Sequence, residues 1–140
     1  MLGPMTALAG LHHVALTVAD LDASIAWYRD VLGLEEEFRH EPDGRRTAVL
    51  RFPGHPDTLG LVEHTGAEPG FDPRRVGLDH VAFVVGSGDE LRAWARRLDE
   101  RGVTNSGPID IPPGGMLHFT DPDGIALAVF WDRSSADTGS

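Results

Sequence analysis

The sequence contains no cysteine. That absence removes disulfide bridges, thiolate nucleophiles and zinc–thiolate sites together, and any metal ion would have to be held by nitrogen or oxygen. Long apolar runs are missing too. No stretch reaches the about 18 residues of a membrane span, and the opening MLGPMTALAG has no basic flank. A soluble, cytoplasmic protein is expected, with residues 1–9 and 133–140 as flexible termini. Positive charge is scarce, 12 Lys and Arg against 22 Asp and Glu, for a formal net charge of −10. Such a balance repels phosphate backbones and anionic lipid heads, so neither nucleic acid nor membrane is expected as a partner. The densest basic group, Arg92, Arg96 and Arg97, shares a predicted helix with Asp89, Glu90, Asp99 and Glu100 and reads as an ion-paired, solvated surface. No Gly-rich phosphate loop, Ser-His-Asp constellation or nucleotide fingerprint occurs.

What is present is an internal repeat. Residues 10–18, GLHHVALTV, align with residues 77–85, GLDHVAFVV, so that His13 corresponds to His80. Each segment alternates as a half-buried strand does, with Val14, Leu16 and Val18 on one face and His13, Ala15 and Thr17 on the other. By the same alternation His12 faces away from His13 and is read as structural. A helix follows each strand. Asp20 is suited to cap a helix over 21–32, where Leu21, Ile25, Tyr28 and Leu32 recur at helical spacing and Gly33 supplies a left-handed stop. The second helix is predicted over 89–101, with Leu91, Trp94, Ala95 and Leu98 inward and Gly102 as its stop.

Three short strands are predicted after each helix: 34–40, 45–52 and 59–64, then 103–105, 116–120 and 125–131. Pro-Asp-Gly at 42–44 and again at 122–124 has the chemistry of a hairpin turn. Residues 65–76, rich in Gly, Pro and charge, read as a linker between the halves. Pro112-Pro113-Gly114-Gly115 reads as a mobile flap or an ordinary surface loop. The expected fold class is therefore α+β, with two βαβββ modules (10–64 and 77–132) in a single domain over 10–132.

Three motifs in this order and spacing carry a family resemblance: LHHVALTVADLD followed by WYRDVLGL, then DHVAFVV, then FTDPDGI. The chain resembles the vicinal oxygen chelate superfamily, the glyoxalase, bleomycin-resistance and extradiol-dioxygenase group, over residues 10–132. The resemblance implies mixed sheets curving into a cup that holds a small molecule or a divalent metal, and a homodimer as a common arrangement. In metal-using members a histidine comes from the first strand of each half and a further ligand, commonly Glu and sometimes Gln or His, from the last. Carried over, the histidines are His13 and His80, while the last-strand positions fall on Gly60 and Ala128, which carry no donor atom.

A third metal ligand could come from His118. If Asp121 to Ile125 closes a three-residue hairpin, His118 lies opposite Ala128 on the same face. His13, His80 and His118 are thus the candidate metal ligands and the candidate acid–base groups. His64, Phe119 and Phe130 are candidate ligand contacts, although Phe119 alternates with His118 and only one of the two can face inward. Glu63 is an alternative to His64 at the strand end.

Two functions follow. In the first, a divalent ion (Zn, Ni, Mn or Fe) chelates neighbouring substrate oxygens, as in lyases, isomerases or ring-cleaving dioxygenases. In the second, with no metal cofactor, the pocket binds or sequesters an aromatic or antibiotic-like molecule as the bleomycin-resistance branch does.

Overall fold

The two helices begin and end where side chains answer their unpaired backbone groups. In the computed structural model, which describes residues 6–133, α1 spans Leu21–Leu32, and the Asp20 side chain accepts a hydrogen bond from Ala23 N at 3.1 Å. At its far end Gly33 takes φ 76°, and Leu34 N donates back to Tyr28 O. The second helix, α2, spans Gly88–Glu100, where Ser87 Oγ accepts from Glu90 N while Glu90 Oε2 accepts from Gly86 N at 2.6 Å. That reciprocal pair behaves as a capping box.

The chain divides after Ala67 into two compact units. Unit 1 has the order β1 (His13–Thr17), α1, β2 (Glu35–His40), β3 (Arg45–Arg51) and β4 (Thr58–His64), and its sheet runs β1-β4-β3-β2. Unit 2 repeats that order with β5 (Val81–Val84), α2, β6 (Ile109–Ile111), β7 (Gly114–Thr120) and β8 (Ala126–Asp132), in a sheet running β5-β8-β7-β6. In each unit the strand before the helix pairs in parallel with the last strand, and the remaining pairs are antiparallel. The class is α+β, each unit being a βαβββ module with a mixed four-stranded sheet.

Each helix covers one face of its own sheet. Leu21, Ile25, Tyr28 and Val31 of α1 are buried with Leu16, Leu50, Leu59 and Leu61. Leu91, Ala95 and Leu98 of α2 are buried with Leu117, Phe119, Leu127 and Val129. At about 1.5–3 kcal/mol for each fully buried large apolar side chain, these clusters are the main stabilising contribution in each unit.

Two readings of unit 2 are corrected by the structure. The strand expected at 103–105 is only a bridge from Asn105 to Phe119, and the edge strand is Ile109–Ile111 instead. The cause is local: Asn105 Oδ1 accepts from Gly107 N, and its Nδ2 donates to Val103 O and Asp99 Oδ1, turning the chain away from the sheet edge. The expected flap is not one either. Pro112 and Pro113 turn between β6 and β7, while Gly114 and Gly115 are buried residues of β7. There a Cβ on Gly115 would stand 2.5 Å from Trp131 Nε1, and one on Gly114 would stand 2.2 Å from Trp131 O. The glycines permit close approach and not motion.

The termini read as flexible lie mostly outside the described residues, at 1–5 and 134–140. Residues 6–9 have no regular structure and are exposed. Arg133 departs from the flexible reading: its backbone N donates to Pro113 O at 2.7 Å, and its guanidinium reaches Ile111 O and Pro112 O.

Candidate functional site

Strand alternation leaves each sheet with an open face on the side away from its helix. In unit 1 a row across the middle of that face runs Ala15, Gly60, Val49, Phe38. In unit 2 the matching row runs Ala82, Ala128, His118. The last-strand positions that would carry carboxylates in metal-using members are therefore central in both sheets and donorless in both. There is little room for a larger group: a Cβ on Gly60 would stand 3.1 Å from that of Ala15, and Ala128 is fully buried between its neighbours.

His118 is opposite Ala128, the register that the three-residue hairpin dictates. Asp121 N donates to Ile125 O, Gly124 takes φ 79°, and Asp121 Oδ1 accepts from Asp123 N and Ile125 N. The His118 ring is exposed on the open face, and its backbone is held by Ser106, which gives a hydrogen bond to His118 O and takes one from His118 N. The repeat-related position in unit 1 is Val49, so His118 has no counterpart there. Phe130 is on the open face beside Met116 and Val84. Phe119 pairs with Leu127, is 4% exposed and belongs to the core under α2, on the face opposite His118. A phenylalanine alternating with an open-face histidine has nowhere else to go.

The first-strand histidines are both exposed and both engaged through Nδ1. His80 Nδ1 is 2.7 Å from Asp79 Oδ1. His13 Nδ1 is 2.8 Å from His12 Nδ1, with the two rings edge to face. The expectation that His12 faces away from His13 is thereby corrected. β1 begins at His13, so strict alternation does not extend to His12, and its ring folds over its neighbour. Asp79 was missed by the sequence reading, although its repeat relation to His12 beside a strand histidine was visible.

At the strand end, His64 is exposed opposite Arg45, on the open face with Val62. Glu63 does not complete a site there. Its Oε1 accepts from Leu21 N at 2.9 Å, at the positive end of α1, and its Oε2 faces Arg46 at 3.3 Å. Trp131 covers Gly88 and Gly115 within unit 2, with Arg133 over its ring.

Neither unit, among the described residues, gathers three His, Asp or Glu side chains in a metal-ligating group. The carboxylate-containing divalent site that the resemblance implies does not fit the residues present, because the two last-strand positions supply no oxygen.

The family model for the glyoxalase/bleomycin resistance protein/dioxygenase superfamily matches residues 10–129. Among solved structures, a glyoxylase/bleomycin resistance protein/dioxygenase domain from Frankia sp. EAN1pec is 38% identical with a TM-score of 0.84, covering 91% of this chain and all of that one. MhqA of Bacillus subtilis is 29% identical over 88% of this chain, and biphenyl-2,3-diol 1,2-dioxygenase 3 of Rhodococcus globerulus is 29% identical over 86%. The chain spans only 40% and 62% of those two relatives' lengths. The match over most of the chain, on a fold of two βαβββ modules, places this protein in the glyoxalase/bleomycin resistance protein/dioxygenase superfamily.

Proposed function

We propose that residues 10–132 act as one small-molecule-binding domain that works without the divalent ion of its metal-using relatives, in the manner of the bleomycin-resistance branch. One observation carries this reading: Gly60 and Ala128, which carry no donor atom, occupy the centre of the two open faces, where metal-using relatives place a ligand. Each open face by itself carries apolar side chains suited to an apolar or aromatic ligand, Val49 and Val62 in unit 1 and Val84, Met116 and Phe130 in unit 2.

A second reading, acid–base catalysis, is favoured by the Asp79–His80 contact. With Nδ1–H donating to the carboxylate, His80 Nε2 keeps its lone pair and could take a proton from a bound substrate. Acid–base chemistry of this kind by a histidine needs no metal ion. Ring cleavage by an iron site is disfavoured, since two histidines and one carboxylate are what such a site requires. Self-association into a homodimer and a cytoplasmic location belong to the same proposal.

The test is elemental analysis of tag-free protein after exposure to Mn, Fe(II), Ni and Zn, alongside binding of a neutral aromatic probe with and without EDTA. The expected result is metal far below one equivalent and probe binding indifferent to EDTA. Near-stoichiometric metal that disappears in His80→Ala would overturn the reading.

A further inference from the structure

We propose that the hairpin end of the unit 1 open face, at Arg45, His64 and His40, is a subsite for the oxyanion head of the ligand. Its natural ligand is then amphipathic, with an apolar body and a carboxylate or phosphonate. This inference rests on the open face being the binding surface.

The argument begins with how β2, β3 and β4 sort their charges. On the helix-covered side, Arg39 is paired with Asp22 and Glu36, and Arg46 with Asp22, Glu41 and Glu63. The opposite side of the same strand ends carries Arg45 directly across from His64, and His40 across from Thr47, the residue two along from Arg45. Directly opposed residues have Cβ atoms about 4.5–5.5 Å apart and diagonal neighbours about 7–8 Å, so His64 and His40 flank Arg45 on either side along the same face. Among the described residues no carboxylate stands within ion-pair distance of any of them. All three are exposed.

In a chain of net charge −10, a strand end where Glu41 and Glu63 turn to Arg46 on the other face is a local exception to an anion-repelling surface. A guanidinium presents the planar fork that matches a carboxylate or phosphonate. Just beyond it, Val62 and Val49 continue the same face and would receive the apolar body.

The experiment is an amide-resolved NMR titration with benzoate, phenylphosphonate and neutral benzyl alcohol, run on the wild type, Arg45→Ala, Arg45→Lys and Arg96→Ala. Arg96 is an exposed helix residue far along the sequence, and its replacement changes the net charge equally. The expected result is that the anions bind at least five-fold tighter than benzyl alcohol, shifting the amides of Arg45, Thr47, Val62 and His64. The comparison between benzoate and phenylphosphonate tells which head group is preferred. Arg45→Ala should bring the ratio near one, Arg45→Lys should retain part of it, and Arg96→Ala should leave it intact. Benzyl alcohol binding on this face as tightly as the anions, or a preference that survives Arg45→Ala, would overturn the subsite and leave the open-face reading standing. If none of the probes moves an open-face amide in either unit, both fall together.

Discussion

His80 Nδ1 and Asp79 Oδ1 are 2.7 Å apart, and at the repeat-related position the carboxylate is replaced by another imidazole, with His13 Nδ1 2.8 Å from His12 Nδ1. A duplicated frame thus holds two histidines in different chemical settings. A carboxylate only accepts, so neutral His80 carries its proton on Nδ1 and its lone pair on Nε2. In the His12–His13 pair one ring donates and the other accepts. Long-range proton–nitrogen correlation spectra should show His80 as the Nδ1–H tautomer, and Asp79→Ala should introduce the Nε2–H form. An unchanged tautomer in the variant would show that Asp79 does not orient the ring.

Gly114 and Gly115 offer a test of the strand reading of the Pro112-Pro113-Gly114-Gly115 segment. Overpacking a well-filled interior costs about 1–3 kcal/mol, and Gly115→Ala, whose new methyl would meet the Trp131 ring and the Leu91 side chain, should fall in that range. Gly114→Ala should cost more, because the obstructing atom is the Trp131 backbone oxygen and cannot rotate away. Urea unfolding should show both midpoints lowered in that order. A flap would tolerate both changes.

Asp22 has its pKa held below the ordinary aspartate value of 3.8, first by the hydrogen bond from Arg39 and then by that from Arg46. A carboxyl depressed in the folded state stabilises it above the unfolded value, and that contribution is lost as the pH falls through the folded value. The Asp22 titration midpoint, followed by NMR, should therefore lie below 3.8 and move toward it in high salt, because the group is exposed and screened. Asp22→Asn should flatten the acid limb of the stability profile. A midpoint at or above 3.8 would contradict the network.

Self-association has a physical motive in the edge strands. β1 and β5 are edge strands of their sheets, and near them Leu11 is 88% and Val84 78% exposed. Apolar side chains beside unpaired strand edges invite a second chain. Size-exclusion chromatography with light scattering should give twice the mass of one chain, and Val84→Asp should shift it toward the monomer. A monomer mass across a wide concentration range would remove the proposal.

The fold was largely legible because its determinants are local. Helix α1 is announced by Asp20, a 3.6-residue apolar period and Gly33, and the register of β7 on β8 follows from the length of one turn, which is why His118 could be set opposite Ala128 from the sequence. Glycine, by contrast, has two opposite meanings. At 114–115 its neighbours Pro112 and Pro113 suggest a loop, and only the presence of Trp131 and Leu91 above the strand reveals that it marks close packing.

The sequence by itself determined the duplication, the order of elements, the exclusion of thiolate chemistry and the donorless residues at Gly60 and Ala128, because each depends on residue identity or on spacing along a few turns of chain. Tertiary structure alone decided that Phe119 is core, that Glu63 serves the start of α1, that Asp79 and His12 engage the strand histidines, and that Glu41 and Glu63 turn to Arg46 on the face opposite Arg45. Those facts depend on which side chains meet across strands and between sheet and helix. Such meetings are set by non-local packing, which no local pattern encodes.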